Sequence, residues 1–180
     1  YNRYDVIRTI EAALEPHRPM VFTLPGVGYG PLGGFPSGKL PELGYATWQW
    51  FKLDNAKANL SVDVRHALAE FIGCMIDAGA PHTPDGRPYI ERFFGSIAAN
   101  LSSGLPGYTG AHPRDIRRVL SDPRGNARLQ VSLTEIEELL EAAIAVYNAS
   151  PHDGLNGRTP LEAVEHSVRT HGAMLNWLPD

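Results

Sequence analysis

Seven residues, Thr47 to Leu53, contain three aromatic side chains and run directly into an acid, Asp54. Bulky side chains in so short a run read as a strand. Its length and apolar character suit a buried central position. The residues after Asp54 supply the pieces around it. Ser61 fits the N-cap of a helix running to about Ile72, with Val64, Ala67, Leu68 and Phe71 inward. Cys74 to Asp77 reads as a second short strand, and residues 79–86 as a loop. Pro88 suits the first turn of a helix reaching roughly Ser102, with Ile90, Phe93, Phe94, Ile97 and Leu101 as its core stripe. Glu91 lies in that first turn, on a neighbouring face of small residues with Gly95 and Ala98. This succession is a route by which a strand end and a helix start come together, and with them Asp54 and Glu91. Two such carboxylates can bind a divalent metal, which points to metal-dependent phosphoryl transfer on nucleic acid.

The flanking segments are read in the same way. Tyr4 to Glu15 has the spacing of an amphipathic helix, with Ile7, Ile10, Ala13 and Leu14 inward and Pro16 closing it. Pro19 to Tyr45 is so dense in Gly and Pro that no regular element of any length is expected there. Within it, Gly33 to Leu40 imitates a phosphate-binding loop, but Leu40 replaces the magnesium-binding hydroxyl and Pro41 interrupts the helix that should follow. A short helix is expected over Pro113 to Leu120. Ser132 and Glu135 form a capping box for a helix to about Tyr147, with Ile136, Leu139, Leu140, Ala143, Ile144 and Tyr147 as its stripe. Thr159 and Glu162 form a second box, with Pro160 at the first helical position, opening a helix to about Arg169. Between these two helices, Tyr147 to Arg158 is turn chemistry throughout.

Composition narrows the class. At 180 residues the chain has enough length for one core. No apolar run approaches the roughly 18 residues of a membrane span, and no signal peptide is visible, since Tyr1 leads into a charged helical segment. The absence of an initiator Met suggests a fragment or processed product. Cys74 is the single cysteine, so neither a disulfide framework nor a cysteine-rich zinc site is available. In its apolar surroundings it reads as a buried structural thiol, suited to a reducing cytoplasm. His166 and His171 lack the spacing of a helical zinc pair. The net charge of -4 opposes a nucleic-acid role, although catalytic carboxylates contribute to it and bound metal would offset them.

Four stretches in order, LDNAKANLS at Leu53–Ser61, PHTPDGRPYIERFFGSI at Pro81–Ile97, LPGYTG at Leu105–Gly110 and YNASPHDGLNGRTPLEA at Tyr147–Ala163, resemble the catalytic core of D-D-E transposases and integrases, the Mu-like branch most of all. The resemblance runs from about Tyr4 to His166 and leaves out the Gly/Pro stretch. It implies an α/β, ribonuclease H-like fold with helices on both faces of a mixed sheet. Residues 1–125 would form the partial catalytic core, with 19–45 as an insertion, and residues 126–180 a helical C-terminal extension. Asp54 becomes the second acid of the triad and Glu91 the third, and the 36 residues between them are close to the family's spacing. Two Mg2+ or Mn2+ ions would serve cleavage and strand transfer on transposon ends and target DNA, by a homo-oligomer. The family's first acid stands on a strand ahead of the helix matched by Tyr4 to Glu15. Asp5, in the first turn of that helix, does not replace it. The resemblance therefore implies an incomplete core, without its first Asp and three strands, that is inactive alone.

Lys57, His82, Arg87 and Arg92 flank the two acids as candidate DNA-phosphate contacts, with proton transfer a second possibility for His82. Arg114, Arg117 and Arg118 form a further basic cluster, which reads first as a solvated helix face and second as a contact for DNA or a neighbouring protomer. His152 reads as a turn residue. Taken singly, an Asp at a strand end is a turn cap, and a Glu in a helix's first turn answers the dipole. Two other classes stay open: a non-catalytic DNA-binding or oligomerisation module of the same fold, and a ribonuclease H-like nuclease that only hydrolyses.

Overall fold

The computed structural model describes residues 2–79, 88–101, 132–171 and 176–177. The chain divides into two compact units. The first is Tyr1–Pro19, Phe35–Gly86 and Pro151–Asp180; the second is Met20–Gly34 and Arg87–Ser150.

The first unit begins with α1, Arg3–Leu14. Asn2 caps it, its Oδ1 accepting from Tyr4 N–H at 2.8 Å, while Asp5 accepts from Asn2 N–H at 2.8 Å. Asp5 is thereby a cap residue. Val6, Ile10 and Leu14 are buried, a strict four-residue spacing. Ala13, expected inward, is exposed, and Ile7 is partly buried against the same core.

The expected strand over Thr47 to Leu53 is two strands. β1, Ala46–Thr47, pairs antiparallel with β4, Asn176–Trp177, near the C-terminus. β2, Trp50–Lys52, pairs parallel with β3, Met75–Asp77, in the register Trp50 to Met75, Phe51 to Ile76 and Lys52 to Asp77. β2 is not buried on both faces. Trp50 and Lys52 face outward and Phe51 is half-buried, so the aromatic run follows the period of two of a one-sided strand.

A helix joins β2 to β3. α2, Val62–His66, is capped by Ser61, whose hydroxyl accepts from Val64 N–H at 3.4 Å. It then widens into a π-turn, Ala67–Phe71, closed by Ile72 N–H donating to Ala67 carbonyl at 3.0 Å. The wider turn holds more than four residues per revolution, so the inward line shifts by one position. Val64, Leu68 and Ile72 are buried, and Phe71, expected inward, is 59% exposed. Gly73 ends the turn at φ +77, a left-handed conformation that glycine adopts without a Cβ penalty. It returns the chain so that Cys74 N–H and Sγ both meet the Leu68 carbonyl, at 2.9 and 3.2 Å. Cys74 is buried, as its surroundings predict, and burial pushes its thiol pKa up. The core of the unit is Val6, Ile10, Leu14, Leu53, Val64, Leu68, Ile72 and Cys74. Val64 and Leu68 are wholly buried, each stabilising the fold by about 1.5–3 kcal/mol relative to exposure.

The second unit holds α3, Pro88–Asn100, and α4, Leu133–Asn148. Phe93 and Tyr147 meet edge to face, ring centroids 4.9 Å apart, and Ile97 and Ala145 are buried. Ile90 and Phe94, expected in the core stripe of α3, are exposed. Ser132 and Glu135 close their capping box, at 2.7 and 3.2 Å. The buried line of α4 is only partly the expected one: Leu139, Ala143, Ile144 and Tyr147 are half-buried. Ile136 and Leu140 are exposed, whereas Glu138 is buried. Its Oε2 accepts from Thr23 and Leu24 N–H at 2.9 Å each, and its Oε1 accepts from the Thr23 hydroxyl at 2.6 Å. Tyr29 donates to Glu141 at 2.5 Å and Asn148 Nδ2 donates to Gly34 carbonyl at 2.9 Å. A loop with no ladder of its own has backbone groups to satisfy, and the polar side of α4 satisfies them. The ligation also tunes the acid: the Thr23 hydroxyl and then the Leu24 amide hold the Glu138 carboxyl below the usual carboxylate range.

In the linker before α5, Pro160–His171, Asn156 and Gly157 take φ of 55 and 76, and His152 N–H donates to Arg158 carbonyl at 3.0 Å. Thr159 and Glu162 complete the second capping box, at 2.8 and 3.1 Å. Among the described residues, no helix is long and apolar enough to cross a membrane.

Candidate functional site

Parallel pairing puts the carboxyl ends of β2 and β3 side by side, and both ends are acidic. Leu53 N–H donates to Asp77 carbonyl at 2.9 Å, which fixes the chain one residue ahead of Asp54 against the last residue of β3. Asp54 is exposed and begins a turn. Its Oδ1 accepts from Ala56 N–H at 3.0 Å and from Asn59 Nδ2. Leu60 N–H reaches back to Ala56 carbonyl at 3.1 Å, so residues 56–60 coil into one helical turn under the Asp54 cap. This is the local hydrogen bonding that Asp offers a turn.

Asp77 was not singled out by sequence reading. Its Oδ1 accepts from Gly79 N–H at 2.9 Å, and its Oδ2 lies 3.5 Å from Lys52 Nζ. The available signal was the pattern Asp77-Ala-Gly79 at the end of an apolar run, the same acid-then-turn chemistry as Asp54.

Donor chemistry provides the test for a divalent ion. Both acids offer hard carboxylate oxygens, of the kind Mg2+ and Mn2+ take. Asp54 fits: the Ala56 and Asn59 N–H donors both fall on Oδ1, and no described residue bonds its Oδ2. Asp77 fits less well, because Lys52 already faces its outer oxygen. Among the described residues, no three His, Cys, Asp or Glu side chains converge as a metal-binding group.

No family model matches the chain, and neither a curated protein nor a solved structure does. Asp54 belongs to the first unit and Glu91, exposed in the first turn of α3, to the second. Lys57 is exposed on the turn that Asp54 caps. It lines a solvent-open pocket of about 450 Å3 together with Asn2, Arg3, Tyr4, Ala58 and Ser61. Arg92 is exposed one residue beyond Glu91, its carbonyl accepting from the Ser96 hydroxyl at 2.9 Å. His82, Arg87 and the Arg114, Arg117 and Arg118 cluster lie outside the described residues.

Proposed function

We propose that this chain serves metal-dependent phosphoryl transfer on DNA, of the transposase and integrase type, within a ribonuclease H-like core. The observation that carries the reading is the acidic carboxyl end of the β2–β3 pair. Two parallel strands joined through a helix bring Asp54 and Asp77 to the same end of a two-stranded pair, which supports a ligand site there. The order of sequence motifs supports it independently. Asp54 and Glu91 would be the carboxylate ligands, and Lys57, His82, Arg87 and Arg92 would hold the DNA backbone by charge. Bound Mg2+ or Mn2+ would supply stabilisation of the attacking and leaving oxygens of an in-line displacement. The chain's own part is to orient the Asp54 carboxylate, through the Ala56 and Asn59 donors.

The test begins with Mn2+ titrated into the full chain and followed by NMR. Paramagnetic broadening at both Asp54 and Glu91, lost in Asp54→Asn, is the expected result. Broadening at neither residue sinks the reading. Single-turnover assays on end-labelled DNA then separate strand joining from hydrolysis.

A second reading, a non-catalytic DNA-binding or oligomerisation module, is favoured by the work Asp54 already does as a turn cap. It predicts that Asp54→Asn, which retains the cap's oxygen acceptor, leaves DNA binding unchanged.

A further inference from the structure

The pocket at the start of α1 is a feature that the metal chemistry does not use. It opens between the first residues of α1 and the turn capped by Asp54. Its volume of about 450 Å3 lies in the range of small-ligand sites and is sufficient for one nucleotide.

Its walls differ in character. On one side Tyr4 is more than half exposed, and its ring is held rather than loose: Arg3 Nη2 donates to the Tyr4 hydroxyl at 3.0 Å, and the guanidinium carbon stands 4.9 Å from the ring centroid. Arg3 is in turn fixed by Asp63, at 2.9 Å, which neutralises its charge and leaves a flat, oriented surface. Asp5, the other nearby acid, is occupied by Asn2 N–H. Lys57 also lines the pocket, exposed and without an ion pair among the described residues. An ordered aromatic ring and an uncommitted cation lining one pocket match the two halves of a nucleotide, since bases stack on aromatic and guanidinium planes while phosphates take cations.

We propose that this pocket seats one nucleotide of an unpaired DNA strand, its base against Tyr4 and its phosphate on Lys57. A base inside a duplex is stacked on both faces and cannot reach such a plane, so the strand must be unpaired at that point. The inference deepens the phosphoryl-transfer reading and rests on it for position. Lys57 stands on the turn that Asp54 caps, so a strand held by Lys57 would run close to the Asp54 turn.

The experiment uses the full chain and a fluorescent dT12 oligonucleotide, read by anisotropy without metal. Tyr4→Leu is expected to weaken binding about ten-fold through lost stacking. Lys57→Gln is expected to flatten the slope of log affinity against log salt by about 0.7, one phosphate's worth. Photocrosslinking of wild-type protein to 5-iododeoxyuridine within the oligonucleotide should mark Tyr4, a readout that needs no variant to fold. Tyr4→Leu affinity within two-fold of wild type, or crosslinks only elsewhere, overturns the pocket while leaving the metal reading standing. No binding of dT12 by the wild type overturns it outright, and dTMP binding as tightly as dT12 overturns the assignment to a strand. If the Tyr4 effect holds while Mn2+ fails to find Asp54, the pocket stands and the metal reading falls.

Discussion

Thr47 is almost wholly buried in β1, and among the described residues its hydroxyl has no hydrogen-bond partner. A buried hydroxyl without a partner forfeits its hydration and recovers nothing. Thr47→Val preserves shape and β-branching while deleting the orphan, and should raise stability by about 1 kcal/mol in urea titration. A loss of stability instead would mean that the hydroxyl has a partner after all. Cys74 shows the opposite arrangement, a buried polar atom satisfied by the Leu68 carbonyl. Burial, the largest influence on its thiol, keeps it protonated and inaccessible. Native protein should therefore react with a thiol reagent at least 100-fold more slowly than protein unfolded in urea. Equal rates would place Cys74 at the surface.

Helix starts follow from three or four neighbouring residues, which is why the caps at Ser61, Ser132 and Thr159 were all readable from sequence. Ser132→Ala removes the acceptor for Glu135 N–H and should cost about 1 kcal/mol, measured by thermal or urea unfolding. Helix interiors were harder to read. A stripe drawn at regular helical spacing placed Phe71 inside, and the π-turn moved Ile72 there instead. Leu68 stands at the junction of α helix and π-turn, wholly buried, with its carbonyl taken by Cys74. Leu68→Ala should cost about 3 kcal/mol, within the range for a large-to-small change in a packed core.

Across the whole chain, both units are assembled from separated segments, so neither survives an arbitrary cut. The first unit draws β4 from beyond residue 150, and the second draws α4 from beyond residue 130. A chain ending at residue 125 loses β4 and all the α4 side chains that hold residues 20–34. Circular dichroism and proton NMR should find it unfolded. Acid should loosen the second unit first. The Glu138 carboxyl titrates below its unfolded value of about 4.3, so its contribution is complete above that pH and is lost as pH falls through the folded value. Exchange protection at the Thr23 and Leu24 amides should fall below about pH 4, with a flatter pH profile in Glu138→Gln. An identical profile in that variant would show that the carboxylate does not hold the loop.

The lesson of the Pro19 to Tyr45 stretch is similar. Its density of Gly and Pro reads correctly as lacking long regular elements, and only single helical turns, Pro36–Lys39 and Pro41–Leu43, occur in it. The burial of Glu138 in its service was not readable, because the backbone groups that need the carboxylate lie more than a hundred positions away. The amino-acid order alone determined the caps, the turns, the extended chain around Phe51 and Ile76, and the burial of Cys74, all matters of near neighbours. Tertiary structure decided which face of each helix is inside, that β2 is covered on one face only, and that Asp77 joins Asp54 at the end of a parallel pair. Those outcomes depend on hydrogen bonds and packing between segments remote in the chain, where local preference has no say.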